Sequence, residues 1–291
     1  MTAPKTTGGP ASAASGTSGT PVTFPEVTDP RAENSPAAFV SHTLLQTQRL
    51  LLRWIRDPST MVQAIVYPAL MLLMLWSVLG ISITRATGTP SIFGTAPMMT
   101  IVGAMFGSIA SGLALRQEWA SGLLSRFWVL PVHRASGLTS RLLAEAVRIM
   151  LTTVLIVAVG FALGFRFDQG ILPGLLMMLI PLLLGLGFAT MVTALAVASA
   201  KLPLVELLSL FATLLLFFNS GFVPTNAYPT WLQTFVENQP MSCAIDAMRG
   251  LSLGGPVAEP LIKTVIWSVG AILLFAYPAV RGFRRAAGTP P

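Results

Sequence analysis

The side chains that could perform acid-base, metal or nucleophilic chemistry are few in this chain and far apart in the sequence. Only 10% of the residues are charged, the histidines are His42 and His133, and Cys243 is the single cysteine. A metal site or a nucleophilic dyad needs several such groups at defined spacing, and none occurs. The phosphate-binding pattern GxxxxGK[ST] is also absent, because no lysine follows a glycine. We therefore expect no enzyme activity, no nucleotide hydrolysis and no bound cofactor or metal.

The stretch RQEWASGLLSRFWVLPVHR, residues 116 to 134, concentrates charge in a chain that has little of it. From Leu123 and Leu124 onward, the stretch is too apolar to remain in water, while its charges oppose deep burial in lipid. An element of this kind suits docking into a groove of a partner protein. It suits a helix at the lipid surface equally well. The charged residues are Arg116, Glu118, Arg126 and Arg134.

A second group of charges, Glu145 and Arg148, falls in the third long apolar run. Arg141 precedes Glu145 by four residues, so the carboxylate can pair with either arginine on one helix face. Charges inside a span are costly and suggest a functional site by default. These residues lie in the first two turns of the run, which favours a structural pair that reaches the membrane surface over a proton relay. Spans without an ionisable residue at their middle argue against a proton-coupled transporter.

The elements that carry these charges are long apolar runs. Apolar residues make up 53% of the chain and its mean hydropathy is +0.72, which is outside the range usual for soluble proteins. Continuous runs of about 20 apolar residues cross the roughly 30 Å hydrocarbon layer as helices. We predict an all-α integral membrane protein with six transmembrane helices. These are Met61 to Ile83, Ser91 to Leu115, Leu142 to Phe165, Ile171 to Ala200, Leu202 to Val223 and Leu261 to Val280.

Positive residues are distributed unevenly around these spans. Most of them lie before the first span, between the second and third, and after the sixth. The positive-inside rule then places both termini and residues 116 to 134 in the cytoplasm of a multi-pass plasma-membrane protein. The opposite side carries residues 224 to 260, whose apolar pattern predicts two short helices that cap the spans or dip into the outer leaflet. Residues 1 to 36 and 286 to 291 are predicted to be disordered tails.

Residues 37 to 58 are predicted to form an amphipathic helix. Arg49, Arg53 and Arg56 share one side with other polar residues, and leucines occupy the opposite side. With Trp54, this basic face suits a helix that lies along the inner leaflet, although packing on other protein is the alternative. Asp57-Pro58 ends the helix before the chain enters the bilayer.

The order of these elements resembles the permeases of type-2 ATP-binding-cassette (ABC) exporters, and the resemblance covers nearly everything after the N-terminal tail. In that family the run after span two is similar to E-R-x-x-G-T-L-E-x-L-x-x-x-P-V-x-R. Trp119 replaces the basic residue of this pattern, and Ser125-Arg126 stands where an acidic residue is common. Stretches such as RFWVLPVHRASGLTSRLLAEAVR and AMRGLSLGGPV are similar to the daunorubicin-resistance branch in actinobacteria. The matching residues are Glu118, Gly122, Leu124, Pro131, Val132 and Arg134.

The resemblance implies that residues 59 to 285 form a permease domain that exports amphiphilic drugs or complex cell-envelope lipids. A separate cytoplasmic ATPase subunit would use the ATP and Mg²⁺, and a second permease, identical or related, would complete the pathway. Residues 116 to 134 would then carry the coupling helix that contacts the ATPase. Phe217, Phe218 and Asn219 could form an outer gate, although an aromatic run also suits contact with lipid or core. A secondary transporter and a membrane scaffold for lipid-synthesis enzymes are the alternatives.

Overall fold

A computed structural model describes residues 35–124, 133, 135–199 and 202–288, and throughout these ranges the chain is helical or turns between helices, with no strand. The fold class predicted from the sequence is confirmed. The helices are α1 Pro36–Arg56, α2 Pro58–Met61, α3 Tyr67–Thr87, α4 Ile92–Ala120, α5 Ser136–Ala162, α6 Ile171–Ala196, α7 Leu204–Phe217, α8 Thr230–Asn238, α9 Pro240–Leu253 and α10 Ala258–Gly288. A π-helical turn, Val62–Val66, joins α2 to α3.

Helix α4 lies at the centre of the bundle. It is apolar on all sides, as expected of a helix surrounded by protein, and it contacts α3, α5, α6, α7 and α9. Its small residues allow close packing, because a Cβ at Gly112 would overlap Val192 of α6. Helix α1 packs along α5, and α10 packs mainly along α6. The α1 end of the bundle therefore holds the C-terminus of α4 and the N-terminus of α5, and the α9 end is the opposite one.

Within the described ranges, five helices are long and apolar enough to cross a membrane: α3, α4, α5, α6 and α10. The predicted fifth span, Leu202 to Val223, differs from this pattern, because α7 has only 14 residues and ends at Phe217. An α-helix of that length rises about 21 Å, which is less than the hydrocarbon thickness. The chain is thus a multi-pass membrane protein in which one apolar segment is a short helix followed by non-helical backbone.

Side chains distant in sequence stabilise the backbone after α7, residues 218 to 221, which we call the polar turn. Asn219 is buried; its side chain donates to the carbonyl of Leu216 and accepts from the Gly221 amide at 2.7 Å. Lipid offers no hydrogen bonds, so such backbone needs protein partners. These are Gln239 on the Phe218 carbonyl, Tyr228 on the Asn219 carbonyl (3.1 Å), Ser242 on the Ser220 amide (3.2 Å) and Arg249 on the Ser220 carbonyl (2.7 Å).

Two further boundaries differ from the sequence prediction. Helix α5 begins at Ser136, six residues before the predicted start of the third span. Helix α10 runs to Gly288, so residues 286 to 288 are helical although they were predicted to belong to a disordered tail. Ala286 is buried in the core, and this packing extends the helix beyond the apolar run. In the segment from 224 to 260, the structure has the two short helices α8 and α9.

Candidate functional site

The densest group of paired charges in the described residues lies at the α1 end, where α1, α4 and α5 meet. We call this group the charged junction and define it as Arg53 of α1, Glu118 of α4, and Arg141, Glu145 and Arg148 of α5. A cavity of about 70 Å³ between the three helices is lined by all five side chains and by Gly107. It has room for a few water molecules and polar groups to hold them. The five charged side chains thus share one cavity, whose wall also includes apolar residues such as Leu50 and Ala144.

Glu118 connects the three helices. Its side chain is 4% exposed, one carboxylate oxygen accepts from Arg53 of α1, and the other accepts from Arg141 of α5. A buried carboxylate requires such pairing because burial of an isolated charge is very costly. Glu118 therefore packs inside this chain and does not face outward from the segment in which the family pattern places it.

Glu145 and Arg148 form the second part of the junction. The carboxylate of Glu145 contacts the guanidinium of Arg148, and Ser108 of α4 donates to Glu145 at 3.1 Å. Arg148 also donates to the carbonyls of Gly103 and Ala104, both at 3.3 Å. Both charged side chains are buried, so they point toward α4 and do not extend to a membrane surface as the sequence analysis expected. The alternative partner proposed there, Arg141, binds Glu118 instead.

Gly107 makes room for this pair. A Cβ atom at position 107 would overlap the Arg148 guanidinium. The absence of a side chain at this point of α4 therefore lets Arg148 lie against the helix backbone, where it reaches two carbonyls. Because those carbonyls already belong to the α4 ladder, Arg148 adds a further donor to each and leaves the helix intact.

Arg116 binds on the opposite side of α4. Arg116 and Glu118 are two residues apart, so their side chains leave the helix in nearly opposite directions. One guanidinium nitrogen of Arg116 lies 2.5 and 2.6 Å from the two carboxylate oxygens of Glu206 at the start of α7. This pair is partly exposed. The last turn of α4 is thus tied to α1 and α5 on one side and to α7 on the other.

The residues after α4 are described only in part. Gly122 has a φ of +69°, a left-handed conformation that favours glycine, and its amide donates to the Trp119 carbonyl at 3.0 Å. Leu123 and Leu124 follow in helical conformation, and Leu124 is buried in the core. Leu124 is consequently not available to a partner protein in this conformation. Pro131, Val132 and Arg134 lie outside the described residues.

His42 and His133, which are far apart in the sequence, are in contact. The His133 amide donates to Nδ1 of His42 at 3.3 Å, and the Ala135 amide donates to Nδ1 of His133 at 3.2 Å. Gln46 of α1 adds bonds to Ser136 and Ser140 of α5. The fold brings the histidines together because α1 packs along the start of α5. No three His, Cys, Asp or Glu side chains in the described ranges lie close enough together to hold a metal.

The arginines of α1 serve different contacts. All three are exposed, but the half-exposed Arg53 binds the buried carboxylate of Glu118. Trp54 is 8% exposed and lines the junction cavity, so it anchors α1 to the bundle and not to a lipid surface. The apolar side of α1 is the exposed one, and it includes Val40, Leu44, Leu45, Leu52 and Ile55.

The residues predicted to form an outer gate do not converge. Phe217 and Phe218 are both exposed on the bundle surface, whereas Asn219 is buried in the polar turn. Cys243 in α9 is also buried, and burial raises the pKa of its thiol to about 11, which keeps it in the unreactive protonated form. Asn219 therefore stabilises the backbone of the polar turn, and Cys243 packs inside the bundle.

Sequence reasoning identified the charged residues of α4 and α5 but missed the pairs that join different helices. Glu118 is separated from Arg53 by 65 positions and from Arg141 by 23. Helical spacing relates residues three or four apart and gives no information on partners at such distances. Ser108 and Glu206 were missed as partners for the same reason.

Comparison with known proteins gives consistent matches. Residues 42–253 match the ABC-2 type transporter family. The chain is 44% identical over 258 residues to the probable doxorubicin resistance ABC transporter permease protein DrrC of Mycobacterium tuberculosis, a match that covers 89% of this chain and 94% of the relative. It is 27% identical over 249 residues to the daunorubicin resistance ABC transporter permease protein DrrB1 of Streptomyces coeruleorubidus, covering 85% of this chain and 88% of the relative.

Proposed function

The chain belongs to the ABC-2 type transporter family, and we propose that it is the membrane permease of an ATP-driven exporter of amphiphilic molecules. The substrates would be amphiphilic drugs or complex cell-envelope lipids. Drugs are supported by the relatives, whose names refer to doxorubicin and daunorubicin resistance. Complex lipids are proposed as further substrates because they are amphiphilic, as these drugs are.

The observation that carries the proposal is the position of Glu118. This carboxylate lies four residues before Gly122, at the spacing of the family pattern, and it binds arginines on both α1 and α5. A displacement of the segment after α4 would therefore reach three helices through the two ion pairs of one buried carboxylate. Arg116 would extend the same displacement to α7 through Glu206.

In this mechanism, a separate ATPase subunit binds ATP and Mg²⁺, hydrolyses the nucleotide and moves against residues 116 to 134. Helices α4 and α7 would then rearrange relative to their counterparts in a second permease. The tie between Arg116 and Glu206 holds the two helices together at the α1 end before that movement. We place this end, with both termini, on the cytoplasmic side, as the positive-inside rule predicts.

The first test is purification of the chain from its native membrane in mild detergent, followed by mass spectrometry of partners present in equal amounts. We expect an ABC ATPase subunit, with or without a second permease. A chain that is recovered alone, or only with lipid-synthesis enzymes, would contradict the proposal and favour a secondary transporter or a scaffold.

The second test is transport by the recovered complex in inside-out vesicles, with doxorubicin as the probe. Uptake that requires ATP and stops when the ATPase is inactivated is the expected result. Uptake driven by an ion gradient without ATP would identify a secondary transporter. A matched pair of variants, Glu118→Gln in the junction and Glu259→Gln in the exposed pair with Lys263, separates coupling from general loss of charge.

A further inference from the structure

A cavity of about 480 Å³ lies away from the charged junction, between α6, α7 and α10. This volume is within the roughly 300–1,000 Å³ range of small-molecule binding sites. Its wall is formed by side chains from five helices, among them Met105 of α4, Phe188 of α6, Leu215 of α7 and Met241 of α9. All four of these side chains are buried, so the cavity reaches into the interior of the bundle.

The side chains of the wall offer no free polar group to a ligand. Ser268 already donates to the Thr264 carbonyl at 2.7 Å, and the indole of Trp267 donates to the Asn238 carbonyl at 2.8 Å. No charged side chain belongs to the described wall. A stable water molecule needs two to four polar partners, so this space does not suit water. An anion or a cation would lack a counter-charge.

The mouth of the cavity opens on the outer surface of the bundle, beside α10. Phe211, Ile266 and Leu274 line it and are exposed on the surface of the bundle. Ile266 and Leu274 belong to α10, which is long and apolar enough to cross the membrane and is the least enclosed of the candidate spans. With α10 in the bilayer, a molecule that enters here would come from the hydrocarbon phase.

Close packing beside the cavity fixes its shape. A Cβ at Gly187 of α6 would lie 2.9 Å from the Ser268 carbonyl of α10, so these two helices are in near backbone contact at that point. At Gly270, only two residues further along α10, no described atom lies within 4 Å of an added Cβ. The tight contact at Ser268 and the open space at Gly270 are therefore adjacent on α10. The open space is present in this structure without any movement of the helix.

We propose that this cavity binds a hydrocarbon chain of a membrane lipid. Its apolar wall, its volume and its mouth toward the bilayer fit an acyl chain whose head group stays outside the cavity. The proposal concerns binding by this chain alone and does not depend on the exporter function, since neither ATP nor an ATPase subunit is needed.

The test is photo-crosslinking of the full chain in vesicles of phosphatidylcholine that carries a diazirine in its acyl chain, followed by mass spectrometry of labelled peptides. Bulk lipid labels exposed positions such as Leu273, which is 74% exposed. Met241 is 1% exposed, so a label there requires a chain inside the cavity. We expect labels on Met241 and Phe188 in addition to Leu273.

Matched variants distinguish the cavity from the lipid surface. Gly270→Phe places a ring in the open space, and Val269→Phe adds the same ring at an exposed neighbouring position that does not line the cavity. We expect the first variant to reduce labelling of Met241 several-fold and the second to leave it unchanged, with Leu273 labelled equally in both. Ala271→Leu, a smaller change in the wall, serves if Gly270→Phe fails to fold.

Two results would overturn the proposal. The first is an unlabelled Met241 in the original sequence, which would mean that dry packing or a second copy of the chain closes the mouth. The second is equal labelling of Met241 in the Gly270→Phe and Val269→Phe variants. If Met241 is labelled as expected but the complex does not transport doxorubicin, the result counts against the exporter function and leaves the lipid site in place.

Discussion

The charged junction and the polar turn both place polar groups between buried helices, but they satisfy them in different ways. In the junction, the carboxylates of Glu118 and Glu145 bind arginine side chains, and the pairs of Glu118 join separate helices. In the polar turn, side chains such as Asn219 and Arg249 bind backbone groups of a chain that has left the helix. Under the proposed mechanism, the junction would transmit displacement between helices, whereas the turn fixes the path of one segment.

The comparison predicts the largest loss of stability at Arg148. Arg148→Met leaves Glu145 buried without its cation, and breaking a buried pair in this way costs roughly 3–5 kcal/mol of the free energy of unfolding. Replacing both residues by apolar ones, in Glu145→Leu with Arg148→Met, should restore most of that stability. The measurement is reversible denaturation in detergent micelles for the single and double variants. A double variant as unstable as Arg148→Met alone would refute the pairing.

A smaller loss of stability with a larger loss of function is expected at Glu118. Glu118→Gln keeps the shape but removes the charge that binds Arg53 and Arg141, and hydrogen bonds to charged groups contribute about 1.5–3 kcal/mol. We expect correct membrane insertion and loss of ATP-dependent transport in vesicles. Equal transport by this variant and by the Glu259→Gln control would show that the junction does not couple the helices.

The polar turn should respond in the opposite manner. Asn219→Ala leaves the buried Gly221 amide without its acceptor, which costs roughly 1–2 kcal/mol, within the range for an unpaired buried polar group. Because the turn is not part of the proposed coupling path, transport per folded molecule should change little. Thermal unfolding and transport are measured together, with Phe217→Leu at an exposed position as the control. A stable Asn219→Ala protein with no transport would make the turn part of the mechanism.

The smallest effect on stability is expected at Arg116. Its pair with Glu206 is partly exposed, and such pairs contribute below about 1 kcal/mol. Arg116→Gln and Glu206→Gln should therefore unfold almost as the original protein does. If the pair holds α4 to α7, both variants should change the ATP dependence of transport to the same extent. Different effects of the two variants would show that Arg116 acts on something other than Glu206.

The sequence predicted the apolar helices well because a membrane-crossing helix is recorded in a continuous local pattern. It missed the end of α7, where Leu202 to Val223 are largely apolar but the helix stops at Phe217. The partners that stabilise this break, Gln239 and Arg249, follow it by 21 to 29 positions. The charged junction was not predicted from the sequence for the same reason. Arg53 and Glu118 come into contact only after α1 has packed on the bundle.

Gly107, Glu145 and Arg148 have a consequence for the routes by which this sequence can change. A side chain at position 107 would displace the Arg148 guanidinium from α4 or require a shorter residue at 148, and a shorter residue there leaves Glu145 buried without its partner. Each first step is unfavourable until the others have been taken. We therefore expect the three positions to change together in evolution. A combination of substitutions can be acceptable although each one, taken alone as the first step, is destabilising.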